Sequence, residues 1–221
     1  MSIKSKVFLI AIIAATGGLL FGFDTGVISG ALPFLKDYWH LNDSEIGWLT
    51  TSVLLGAVFG ALTSGRLSDY LGRKKMIIVN AIIFTIGAIG CSYAESLKIL
   101  IIMRLFVGFA IGITSYVVPM YIAEIAPAAK RGALVTLNQL MITIGLLASY
   151  ITDYLLSNNA YSDSWRWMFL VGLFPALILL FGMFFLPETS RWLISKNRLA
   201  EGKKVLFQLE DPALVEKLLK I

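Results

Sequence analysis

Long apolar stretches separated by short charged connections dominate the chain. They run from Val7 to Leu32, Ile46 to Thr63, Met76 to Ala94, Ile99 to Ile122, Leu134 to Leu156 and Trp167 to Leu186. Each approaches the ~20 residues that carry an α-helix across a bilayer. The runs are apolar on most faces, unlike barrel strands, which alternate polar and apolar positions in segments of ~10. The pattern predicts an all-α membrane protein. Residues 1–186 form six spanning helices, and residues 187–221 form a cytoplasmic segment of short amphipathic helices. In that segment Leu193, Leu199, Val205, Leu206 and Leu209 mix with charges as in helices lying at a membrane surface. Asp211-Pro212 predicts the start of a last one.

Composition agrees. Hydrophobic residues make up 57% of the chain and charged residues 15%, against about 25% charged in soluble domains. The net charge of +5 sorts by membrane side. Lys4, Lys6, Arg66, Arg73, Lys74, Lys75, Lys130, Arg131 and the basic residues from Arg191 onward fall on one side, and Lys36, Lys98 and Arg166 on the other. The positive-inside rule makes the first side cytoplasmic and puts both termini there. The charge therefore reports orientation in a plasma (inner) membrane, with lipid rather than nucleic acid as partner. The first run outlasts the roughly 7 to 15 apolar residues of a signal peptide. A single cysteine, Cys91, excludes an internal disulfide and a cysteine-cluster metal site, and no cofactor is expected. His40 is the single histidine and lies in a connection, so no Ser/His or metal-ligand constellation supports an enzyme.

Asp24 and Arg104 are charges inside the spans. Asp24 lies about two turns from Leu32, and Arg104 a little under two turns from Lys98, so at ~1.5 Å per residue both sit roughly 9 to 12 Å below the outer boundary. A charge there costs ~2.5 to 3.5 kcal/mol when it faces lipid, so the two are expected to face a shared interior. They form either a static pair joining helices 1 and 4 or a site where Asp24 takes up a proton in one conformation and releases it in another. Gln139 and Asn138, on helix 5, offer amides to a hydroxyl-rich ligand or to neighbouring helices. Phe21, close to Asp24, is either an apolar platform or core. Gly22/Gly26/Gly30, Gly56/Gly60 and Gly108/Gly112 repeat at the spacing of close helix packing.

The connections on the basic side read "GRLSDYLGRKK" (Gly65 to Lys75), "PMYIAEIAPAAKRG" (Pro119 to Gly132) and "PETSRWL" (Pro187 to Leu193). Each combines acid and base: Asp69 with Arg73, Glu124 with Arg131, Glu188 with Arg191. Together with "RLFVGFAIG" they resemble the sugar porter family of the major facilitator superfamily. The resemblance implies one lobe of a twelve-helix fold, built as two inverted three-helix repeats. It implies the N-terminal half of a proton-coupled monosaccharide or polyol transporter working by alternating access, with protons and sugar as partners. A C-terminal six-helix lobe or a second copy would complete it. Asp24 and Arg104 match the family's proton-coupling pair, Gln139 a sugar-contacting glutamine, and Phe21 and Gly60 weaker lining positions. The three acid–base pairs match its cytoplasmic gate. Leu146 stands where some symporters carry another glutamine, Tyr70 replaces a commonly basic residue, and Ser190 replaces a proline. A facilitative sugar uniporter and a non-transporting sugar-binding or regulatory half-transporter are the alternatives.

Overall fold

The computed structural model describes residues 3–157 and 163–209. Asp211-Pro212 and the rest of residues 210–221 lie outside the described residues. Helices α1 (Ile3–Trp39), α2 (Asp43–Leu71), α3 (Arg73–Ser92), α4 (Leu97–Ile125) and α5 (Arg131–Ser157) each cross the fold once. A sixth crossing is shared by α6 (Ser164–Val171) and α7 (Leu173–Phe185), and α8 (Ser190–Ser195) and α9 (Leu199–Leu209) follow it. All six crossings are long and apolar enough to span a membrane.

Local chemistry sets the helix ends. Asn42 and Glu45 form a reciprocal capping box that starts α2, and the Ser96 hydroxyl accepts from the Ile99 N–H to start α4. The sixth crossing breaks at Gly172 because Pro175 has no N–H to offer Val171 and its ring crowds that carbonyl. Gly72 joins α2 to α3 at φ 97°, a left-handed conformation that glycine adopts without strain.

Helix packing displays the internal symmetry. The most extensive seams are α1 against α5 and α2 against α4. Exchanging helices 1–3 with helices 4–6 turns one seam into the other, which is the relation two inverted repeats require. Matching glycines let the backbones touch: a Cβ on Gly22 would lie 1.9 Å from the Ile142 carbonyl oxygen, and one on Gly108 would lie 2.1 Å from that of Val53. Between the repeats, Asn80 of α3 donates its side-chain amide to the Thr114 hydroxyl of α4. Outward faces remain apolar, as with Leu62, Phe181 and Phe185, which suits a bilayer solvent. At the basic end, the Trp192 indole donates to the Asp69 carbonyl (2.9 Å) and the Tyr121 hydroxyl to the Pro187 carbonyl (2.7 Å), tying α8 to the helix ends.

Candidate transport site

Asp24 and Arg104 meet across the α1–α4 contact. Arg104 Nη1 donates to Asp24 Oδ1 at 2.6 Å, and the residues are 4% and 2% exposed. Burial on this scale requires a partner, since an isolated charge in a low-dielectric interior costs several kcal/mol. The pairing is incomplete: Asp24 Oδ2 and Arg104 Nε have no hydrogen-bond partner among the described residues.

The pair borders a cavity of about 480 Å³ between α1, α2 and α4. Phe21 lines it, with Thr25, Thr50 and Ser115 as hydroxyl-bearing neighbours and otherwise apolar walls. Each hydroxyl donates to its own helix, Thr25 to the Phe21 carbonyl, Thr50 to that of Ile46 and Ser115 to that of Gly112. Their oxygens thus stay open to accept from a ligand hydroxyl. A concave, largely apolar space with a few converging polar groups is the ordinary form of a small-molecule site.

The other expected substrate residues lie apart from this cavity. Gly60 is buried in the α2–α4 seam, where a Cβ would sit 2.2 Å from the Phe109 carbonyl oxygen. Gln139 projects from the exposed side of α5 and does not line the space. Its neighbour Asn138 turns inward, with its side-chain oxygen buried against Gly18.

At the basic end two of the three expected acid–base pairs are replaced. Arg73 pairs with Asp69 as expected (3.0 Å), but it also reaches Glu124, with Nε 3.3 Å from Oε2. Arg131 is exposed and forms no ion pair with Glu124. Both line a second cavity of about 480 Å³ between the end of α4 and helices α8 and α9, together with Arg191. Glu188 turns from Arg191 to the start of α3, accepting from the Lys74 N–H at 3.1 Å on both oxygens and from the Thr189 N–H at 2.8 Å. A carboxylate at a helix N-terminus satisfies orphan amides and complements the helix dipole. Burial nevertheless pushes the Glu188 carboxyl above its ordinary range, against the pull of those N–H groups and of Arg73.

One ionisable residue had escaped the sequence reading. Asp153 of α5 is 7% exposed, packs against Gly30 of α1, and has neither carboxyl oxygen in a hydrogen bond of standard geometry. Its signal is the single acid of the fifth apolar run, near the end of that run.

The model of the "Sugar (and other) transporter" family matches residues 10–220. The chain belongs to this sugar porter family of the major facilitator superfamily. It is 43% identical over 208 residues to the galactose-proton symporter of Escherichia coli K12, covering 94% of this chain and 44% of that protein. It is 44% identical over 192 residues to the D-xylose transporter of Levilactobacillus brevis, covering 87% and 42%. Among solved structures, the proton:xylose symporter XylE bound to 6-bromo-6-deoxy-D-glucose superposes with a TM-score of 0.94 at 30% identity, over 99% of this chain and 53% of that one. The chain thus spans about half the length of the relatives it matches, and it is a multi-pass membrane protein with the fold of one transporter lobe.

Proposed function

We propose that the chain is the N-terminal half of a proton-coupled monosaccharide or polyol transporter. The carrying observation is the buried, singly bonded Asp24–Arg104 pair at the edge of a cavity. A proton arriving at Asp24 removes the charge that Arg104 faces, so protonation changes what holds α1 to α4. In an alternating-access cycle, two six-helix lobes rock about a site near the midplane. The proton on Asp24 biases which side that site faces.

Phe21 and the cavity hydroxyls contact the sugar in this scheme, while Gln139 contributes from the open side of α5 once an opposing C-terminal lobe or second copy encloses the site. Asp69, Arg73, Glu124, Arg131, Glu188 and Arg191 form the cytoplasmic gate. The basic end faces the cytoplasm with both termini, in the plasma membrane. Cysteines placed at Lys74 and Lys196 should accordingly react only from inside, and one at Asp43 from outside.

The reading is tested by joining the chain to a C-terminal lobe of a related transporter and reconstituting it in vesicles. Sugar entry should be accompanied by proton uptake. Sugar entry without proton flux would make the protein a uniporter instead.

A further inference from the structure

Phe169 of α6 lies behind the charged pair rather than in the cavity, and it is buried. Its ring centroid is 5.5 Å from Arg104 Cζ, within the ~6 Å over which an aromatic face attracts a cation. The ring is braced from the other direction. Trp165, fully buried, meets it edge to face at 6.3 Å, and packs in turn against Trp39 at 5.4 Å. The Arg166 guanidinium lies 4.3 Å from the Trp165 centroid and is itself fixed by donating to the Ser92 and Ala94 carbonyls. A rigid column therefore runs from the connection after α3 to the Arg104 guanidinium.

Arg104 spends little of its bonding capacity on Asp24. One nitrogen bonds one carboxylate oxygen, and Nε has no partner among the described residues. Among the described residues, the buried Cys91 of α3 is the other titratable group close enough to feel both charges. Helix α7 carries none, α6 carries Arg166 at its start, and α2 and α5 hold theirs toward their ends. When Asp24 is neutral, no other anion among the described residues stands beside the guanidinium, and the Phe169 face is the attraction that persists.

We propose that Phe169 is a positioning residue for Arg104, holding the guanidinium beside Asp24 while Asp24 is neutral so that the pair re-forms when the proton leaves. The inference rests on the proton-exchange reading of Asp24, and its test is independent of transport.

The test is a double-mutant cycle in the thermal unfolding of the 221-residue chain in nanodiscs, with Asp24→Asn standing for neutral Asp24. Phe169→Leu should lower the melting temperature by several degrees more in the Asp24→Asn background than in the Asp24 background. Phe169→Tyr, which keeps the aromatic face, should show no such excess. Adding Arg104→Gln to Asp24→Asn removes the cation, and the excess should vanish with it. A double variant that fails to fold while both single variants fold counts as the excess in its largest form. Equal losses in both backgrounds, an excess in the Tyr variant, or an excess that survives Arg104→Gln would each overturn the proposal. Proton-driven accumulation by Asp24→Asn in the two-lobe protein would instead overturn the coupling reading, so the two failures are separable.

Discussion

Arg73 of α3 reaches across to Glu124 of α4, with Nε 3.3 Å from Oε2. The guanidinium also bonds Asp69, whose side chain is largely exposed, and donates to the Ser68 carbonyl at 3.3 Å. One buried cation therefore joins the ends of α2, α3 and α4, whereas Arg131 is exposed. Arg73→Met leaves the largely buried Glu124 carboxylate without its cation, and breaking a buried pair in this way costs about 3 kcal/mol. Arg131→Ala should stay within about 0.5 kcal/mol, as exposed substitutions do. Chemical unfolding of the two variants in the same detergent checks the contrast, and equal losses would restore Arg131 as the partner of Glu124.

Glu188 gives this junction a pH dependence. Its carboxyl is raised above the ordinary 4.5 by burial, so the folded protein holds that proton more tightly than the unfolded chain does. Its contribution is fully present below the ordinary value and is lost as pH rises through the raised one. Thermal stability of the wild type should carry a component that falls over this window. Glu188→Gln, which retains an acceptor for the Lys74 N–H, should flatten it. A Gln variant with the wild-type pH profile would assign the slope to another group.

Backbone contact in the seams makes a sharp pair of expectations. A Cβ on Gly22 would lie 1.9 Å from the Ile142 carbonyl oxygen, and α1 cannot keep its distance from α5 with that atom present. Gly22→Ala should destabilise by about 1 to 3 kcal/mol, the usual cost of overpacking. Gly47, also helical, has nothing within 4 Å of the same position. Gly47→Ala should stabilise by about 0.5 to 1 kcal/mol through helix propensity alone. Melting curves of the two variants decide the matter, and a tolerated Gly22→Ala would contradict the α1–α5 packing.

The crossings were legible in the sequence because a bilayer demands apolar length, and length survives in sequence as an uninterrupted run. Asp24 and Arg104 were legible for the same reason: a charge in such a run stands out and needs a partner, and each is the other's partner. The charged cluster at the basic end was less legible. Glu124 and Arg131 are neighbours along the chain, but the cation that Glu124 meets comes from α3 through the fold, and Glu188 finds backbone amides that no side-chain pattern announces. Gly60 as a lining position depended on resemblance alone, and the Gln139 amide suited a ligand and a neighbouring helix equally. Periodicity could not distinguish a seam glycine from a cavity glycine, nor say which of Asn138 and Gln139 turns inward. Asp153 shows the opposite case, a clear intramembrane charge obscured by the end of its run.

In the proposed transport cycle Asp24 exchanges the coupled proton. Asp24→Asn keeps the shape and leaves Arg104 with an uncharged neighbour, so the variant cannot cycle a proton at this position. In the two-lobe protein, sugar uptake driven by an imposed pH gradient is measured per folded molecule, alongside exchange of labelled sugar at equal pH. Asp24→Asn should retain exchange and lose accumulation against the gradient. Full accumulation by the Asn variant, accompanied only by lower thermal stability, would contradict it and leave Asp24–Arg104 as a static bond between α1 and α4.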